Sequence, residues 1–251
     1  MIPKIIHLCW LSNDEFPKDI KKCIESWERF LPDYEIMLWN RERFDINSVI
    51  WTKEAFEAKK YAFAADYIRL YALYNHGGIY LDSDVLVYKS FDELLSLPYF
   101  IGEDYLHCFE PAIIGCVSKM PWIESVLKRY EGLSFIDENG NYNMETLPVV
   151  FRKRLSDYHF EKVIPGESYD YEKGKIKIFP SDFFNSRDYL GPIKTENSFC
   201  SHNFAGSWLK NPSRMKSFIK RVAPRPVLNF YYRFCFNVLY KSSLAEKQIP
   251  Y

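Results

Sequence analysis

The sequence predicts an α/β fold built on a parallel central sheet, and three observations carry that prediction. The chain opens strand–helix–strand, the signature of a parallel sheet with helical crossovers. A long apolar helix then runs into a Gly-Gly stop and a short hydrophobic strand. Two aspartates stand at the carboxyl end of that strand, where α/β sheets place ligands.

The elements follow in order. Residues 2–11 are Ile-rich and read as a buried first strand. In residues 19–30, Ile20, Cys23, Ile24 and Trp27 recur at helical spacing, and Pro32 ends the helix. YEIMLW at 34–39 reads as a second strand. Residues 55–75 read as helix in one or two pieces, closed by His76-Gly77-Gly78. Ile79-Tyr80-Leu81 is a central strand expected to continue extended through LDSDVLV, before a short helix over 91–97 capped by Ser90. Further on, 111–118 and 176–179 read as strands, and 122–130 and 147–155 as helices. Residues 131–145 are polar and read as a mobile loop, a candidate lid, while 201–208 reads as irregular. No internal repeat or linker divides the chain.

Chemistry concentrates in GGIYLDSDVLV, residues 77–87. In a regular strand Asp82 and Asp84 would point the same way, because side chains alternate with a period of two. Paired carboxylates repel and favour a divalent cation; oxygen ligands suit Mn²⁺ or Mg²⁺, which can hold a diphosphate. The plain alternative is a solvated turn after a strand. Asp66 and Arg69 share one face of the preceding helix. A surface ion pair there would contribute little. Because the helix is otherwise apolar, the pair reads as buried, with Asp66 suited to accept from sugar hydroxyls and Arg69 to donate to sugar or phosphate oxygens.

These segments resemble the DXD-containing glycosyltransferases of family 32, including bacterial capsular-polysaccharide enzymes and yeast mannosyltransferases, and are more distantly similar to the glucosylating domain of clostridial toxins. The resemblance runs from IPKIIHLCW at Ile2, through AADYIRLYALYNHGGIYLDSDVLV at Ala64, to SHNFAGSW at Ser201. It implies a GT-A (Rossmann-like nucleotide-diphospho-sugar transferase) fold with a mainly parallel sheet flanked by helices. It also implies a nucleotide-sugar donor, UDP-sugars favoured, and retention at the anomeric carbon. By the same resemblance Asp66, Arg69, Asp82 and Asp84 carry catalysis, and Asp82, Asp84 and His202 hold the metal. His7, Trp10, Asp66, Arg69, Ser83, Ser207 and Trp208 would contact the nucleotide sugar, with Trp10 stacking on the base. Without the resemblance, Trp10 reads equally well as core and His202 as a structural histidine. The implied acceptor is a glycan or lipid-linked hydroxyl in surface-polysaccharide synthesis. The alternatives are an effector that glycosylates a protein and a non-catalytic sugar-binding protein of the same fold. A phosphatase reading of LDSDVLV lacks the later acidic pair which that chemistry needs.

The 251 residues suffice for one sizeable domain. Aromatic residues make up 18%, which predicts a well-filled core. Net charge is zero but uneven: from Lys210 onward nine Lys and Arg stand against Glu246 alone, a net of +8. We therefore expect a catalytic domain over 1–209 and a basic, aromatic helical extension over 210–251. That extension reads either as a contact for an anionic membrane surface or as a solvated helical face; no nucleic-acid partner is expected. Six cysteines show no CxxC pairing and read as buried thiols in a reducing compartment. The N-terminus lacks signal-peptide character and no apolar run reaches 18 residues. The expected location is cytoplasmic, peripheral on the inner face of the membrane.

Overall fold

The structure, a computed structural model, describes residues 1–12, 14–104, 107–188 and 191–203. In chain order the elements are β1 (Ile5–Cys9), α1 (Lys18–Phe30), β2 (Glu35–Trp39), α2 (Ile50–Glu57), α3 (Tyr61–His76), β3 (Gly78–Leu81) and β4 (Val85–Val87). They continue with β5 (Tyr99–Glu103), β6 (Phe109–Cys116), α4 (Pro121–Leu127), α5 (Leu147–Arg154), β7 (His159–Lys162), β8 (Lys175–Ile178) and α6 (Ser181–Phe184). Three short strands close the described chain: β9 (Arg187–Asp188), β10 (Gly191–Pro192) and β11 (Cys200–His202).

The main sheet has the order β2-β1-β3-β6-β5. Strand β1 is parallel to both β2 and β3, whereas β6 runs antiparallel to β3 and to β5. Four strands therefore point one way and one opposes them, which is the mainly parallel α/β sheet of the GT-A arrangement. Every residue of the central strands β3 and β6 is buried, as strands covered on both faces require, and so is every residue of the edge strand β5. The largest fully buried side chains are all aromatic, so among the described residues most of the Phe, Tyr and Trp content goes into the core.

Helix α3 buries residues around its circumference, including Ile68, Leu70, Ala72 and Leu73 together with Asp66 and Arg69. It stops where Gly77 takes φ +66° and Gly78 φ +96°, a conformation that side chains strain. Space forbids a larger residue as well. A Cβ on Gly77 would lie 2.7 Å from the Ser118 amide nitrogen, and one on Gly78 would lie 2.7 Å from the Ile5 carbonyl oxygen. Two glycines thus let a buried helix turn directly into the central strand.

The extended run expected through LDSDVLV is broken. Strand β3 ends at Leu81, the Asp82 amide still donates to Ala112 O (2.9 Å), and a turn closes with Val85 N to Asp82 O (3.0 Å). Strand β4 then pairs antiparallel with β11, setting His202 opposite Val85. Helix α1 fixes the departing strand: Trp27 Nε1 donates to Val85 O (2.7 Å), and Val87 N donates to Ser26 Oγ (3.0 Å).

Other differences are local. Of the one or two helical pieces expected over 55–75 the structure has two, α2 and α3, broken around Lys59, which has φ +56°; the first piece begins earlier, at Ile50. The short helix over 91–97 is a single 3-10 turn over Asp92–Leu94; the Asp92 amide donates to Ser90 Oγ (3.2 Å). The irregular reading of 201–208 misses β11. The candidate lid over 131–145 is tied down rather than loose. Glu54 Oε2 accepts from Ser134 Oγ (2.7 Å), Phe135 N (2.7 Å) and Ile136 N (3.0 Å), and Phe135 is fully buried against Trp51. Glu145 closes the other end through ion pairs with Arg129 (2.7 Å) and Lys153. The 210–251 extension, with Ser207 and Trp208, lies outside the described residues.

Candidate active site

The turn between β3 and β4 brings Asp82 and Asp84 together with His202 from the end of β11. One ligand atom from each of the three lies within 4.8 Å of the others. The His202 Nε2 to Asp84 Oδ1 separation is 3.3 Å, near the ~3 Å expected between adjacent ligands each about 2.1 Å from a metal. Two carboxylates and an imidazole form a donor set that suits Mn²⁺. The carboxylates converge because of the turn and the β4–β11 pairing, not because a strand continues through them. The Asp84 carbonyl also accepts from Asn203 N (3.1 Å), which fastens the turn to the chain leaving β11.

Beside this group lies a buried electrostatic cluster. Arg69 Nη2 sits 3.2 Å from Asp66 Oδ1 and 3.1 Å from Asp82 Oδ1. Its Nη1 donates to Pro111 O (2.7 Å), and its guanidinium lies 4.5 Å from the Tyr80 ring centroid. Tyr80 in turn donates from its hydroxyl to Asp82 Oδ1 (2.9 Å). Arg69 is thus a clamp between two aspartates, and its buried Nε has no hydrogen-bond partner among the described residues. The Asp82 side chain is the most open of the three, at 26% exposure against 11% for Asp66 and 6% for Arg69. Asp82 therefore forms the solvent edge of the cluster.

Burial shapes the titration here. It raises the Asp66 carboxyl to about 7, with Arg69 pulling down and Asp82 pushing up. Burial likewise raises Asp82, against the pull of Arg69 and His202. Burial alone would push the His202 imidazole down, but Glu110 and Asp84 on either side hold it well above its usual value. Arg69 stays charged: burial works against it, while Asp82, Tyr80 and Asp66 more than compensate.

Among the residues expected at the site, the structure joins Asp66, Arg69, Asp82, Asp84 and His202. Ser83 lies half-buried within the turn. Trp10 is half-buried at the end of β1, with its indole donating to Asp14 O (3.0 Å) and its ring 4.9 Å from Phe16. His7 does not belong to this group. It is fully buried, its Nδ1 accepts from Trp39 Nε1 (3.0 Å), and its Nε2 lies 2.6 Å from Gly77 O. With both nitrogens engaged in the core, and burial lowering the ring to about 4, His7 is a neutral structural histidine with no atom free for a nucleotide. Glu110 escaped the sequence reading. It is buried on β6 with Oε1 3.2 Å from His202 Nδ1. The available signal was an acid placed in the otherwise apolar run FEPAIIGC.

Residues 17–101 match the family model for a glycosyltransferase sugar-binding region containing a DXD motif. That segment holds Asp66, Arg69, Asp82 and Asp84 but neither Glu110 nor His202. The chain is 30% identical to inositol phosphoceramide mannosyltransferase 3 of Schizosaccharomyces pombe over 157 residues, 60% of this chain and 42% of that protein. It is 32% identical to mannosyl phosphorylinositol ceramide synthase CSH1 of Saccharomyces cerevisiae over 135 residues, covering 51% and 35%. An uncharacterized glycosyltransferase, L373, of Acanthamoeba polyphaga mimivirus is 25% identical over 236 residues, covering 88% of this chain and 89% of that one. This chain thus spans less than half the length of the two yeast relatives. Among solved structures, the PaToxG glycosyltransferase aligns over 61% of this chain and 68% of its own, with 23% identity and a TM-score of 0.47. The relatives named here are fungal and viral glycosyltransferases: the yeast mannosyltransferases that the sequence resembled are among them, and the bacterial capsular-polysaccharide type is not.

Proposed function

We propose that the chain is a metal-dependent, retaining glycosyltransferase that moves a hexosyl or N-acetylhexosaminyl group from a nucleotide diphosphate sugar to a hydroxyl of a glycan or lipid-linked acceptor. The convergence of Asp82, Asp84 and His202 beside the Asp66–Arg69 clamp is the observation that carries this reading. A bound Mn²⁺ or Mg²⁺ would supply charge neutralisation on the departing diphosphate. Asp82, Asp84 and His202 would hold that ion. Arg69 keeps Asp82 and Asp66 in register, and Asp66 accepts from donor-sugar hydroxyls. Trp10, Ser83, Ser207 and Trp208 complete the donor contacts in this proposal, with Trp10 against the base. The acceptor hydroxyl attacks from the leaving-group side and passes its proton to the diphosphate, so no protein nucleophile is assigned.

The names of the yeast relatives favour mannosyl transfer to a phosphoinositol-bearing lipid. UDP-sugar use in surface-polysaccharide synthesis is supported by the family-32 resemblance alone. A lipid-linked acceptor accords with a basic 210–251 extension resting on an anionic surface. Sedimentation with anionic vesicles, compared between the full chain and one truncated after Val222, tests that contact, and equal sedimentation removes it.

The deciding experiment screens UDP-hexoses, UDP-N-acetylhexosamines and GDP-mannose with Mn²⁺ for nucleoside diphosphate release. One donor should turn over, chelator should stop it, and Asp84→Ala should abolish it while leaving the circular dichroism unchanged. Full turnover in excess chelator overturns the proposal. Donor-dependent thermal stabilisation without turnover would instead point to a sugar-binding protein.

A further inference from the structure

We propose that Glu110 is the positioning residue of the metal centre, holding the His202 imidazole by Nδ1 so that Nε2 is presented to the ion beside Asp84. This rests on the metal-dependent reading above and adds to it a residue outside the matched 17–101 region.

The geometry is a line of three groups. Glu110 Oε1 lies 3.2 Å from His202 Nδ1, and on the far side of the ring His202 Nε2 lies 3.3 Å from Asp84 Oδ1. The imidazole therefore spans two carboxylates, one fixed within the main sheet and one at the turn. Glu110 itself is immobilised: its Oε1 accepts the Ala112 amide (3.2 Å) and its Oε2 accepts Asn185 Nδ2 (2.9 Å). It is 3% exposed and Asn185 is 1% exposed, so water does not compete for either. A buried acid with this set of contacts has a clear chemical use. A histidine that binds a metal through one nitrogen is oriented, and made a better donor, by an acceptor on the other. His202 needs such a guide because it ends a three-residue strand, β11, which pairs with only three residues of β4. The main sheet supplies through Glu110 the rigidity that this small ladder lacks.

The test measures Mn²⁺ binding to the full chain without nucleotide, by electron paramagnetic resonance of the free ion, for wild type, Asp84→Ala, Glu110→Ala, Glu110→Gln, His202→Ala and the Glu110→Ala/His202→Ala double variant. Glu110→Ala should weaken Mn²⁺ binding about 10- to 100-fold, the range for losing an outer partner of a metal-bound histidine. Glu110→Gln keeps the size and a carbonyl acceptor, so it should recover much of that loss. The double variant should bind no more weakly than His202→Ala, because Glu110 acts through that ring. Independent, additive losses would overturn the proposal by assigning Glu110 a merely structural role. So would wild-type affinity in both Glu110 variants. If Glu110→Ala fails to fold, Glu110→Gln carries the test: affinity between those of wild type and His202→Ala supports the proposal, and wild-type affinity overturns it. Absence of Mn²⁺ binding in the wild type would remove the metal-dependent function and this proposal together. Binding that Asp84→Ala abolishes and the Glu110 variants leave intact would remove this proposal alone.

Discussion

Replacing Asp66 with Asn should stabilise the protein at pH 8 and change it little near pH 4. Burial lifts the folded carboxyl from 3.8 to about 7, net of the attraction of Arg69. In the unfolded chain the same group titrates near 3.9. Between those two values the folded state keeps a proton that the unfolded state has lost. The stability linked to this group is therefore fully present below about pH 4, declines as pH rises, and is gone above about pH 7. At about 1.36 kcal/mol per pH unit, the loss across the window is about 4 kcal/mol. Asparagine resembles the protonated carboxyl and carries no such penalty. The gain from Asp66→Asn should therefore be about 1–2 kcal/mol at pH 5 and about 4 kcal/mol at pH 8. Urea denaturation of both proteins at the two pH values, without donor or metal, reads the difference directly. A variant less stable than wild type at pH 8 would refute the reasoning, because the ion pair with Arg69 would then outweigh the burial of the charge. The same exchange should lower donor affinity, since the amide accepts a sugar hydroxyl less strongly than a carboxylate does.

Three further outcomes are expected. Asp84→Ala should lose metal-dependent turnover but keep its fold, because the contact of residue 84 with Asn203 is made by its backbone carbonyl, while loss of the Asp84–His202 pair lowers the midpoint; thermal melting beside the donor assay checks both. Gly115→Ala should destabilise by about 1–3 kcal/mol or more, since its Cβ would fall 2.2 Å from the Phe100 ring inside the central sheet; denaturant titration measures it. Glu54→Ala should free the 131–145 segment by leaving two backbone amides and a hydroxyl without their acceptor. Limited proteolysis should then cut within that segment well before the wild type is nicked.

The first half of the chain was legible because its signals are strong and local. The strands β1 and β2 and the helices α1 and α3 each show their period, and the Gly77-Gly78 stop fixes where α3 ends. The turn at Asp82–Asp84 was legible only as the plain alternative to a continuous strand. Asp-Ser-Asp between apolar runs suits either a turn or a pair of ligands, and what fixes the bend is the distant pairing of β4 with β11 and the grip of Trp27 and Ser26. The polar 131–145 segment misled for a similar reason. Its composition is that of a loose loop, yet a single carboxylate from α2 and a buried phenyl ring hold it in place. His7 stands beside Trp10 in the motif, and only the three-dimensional contacts with Trp39 and Gly77 reveal its structural role. Glu110 emerges only once β6 is laid against β3, which sets an acid that looks out of place in sequence beside the imidazole of His202.

The small ladder joining β4 to β11 has a consequence for how the site comes into being. Its strands lie more than a hundred positions apart along the chain, so the third ligand arrives only when a long loop closes, at an entropic cost that local structure does not offset. A growing chain that has reached the DXD turn holds the two acidic groups but not the imidazole of His202. The complete three-ligand set therefore depends on a long-range pairing, that of β11 with β4.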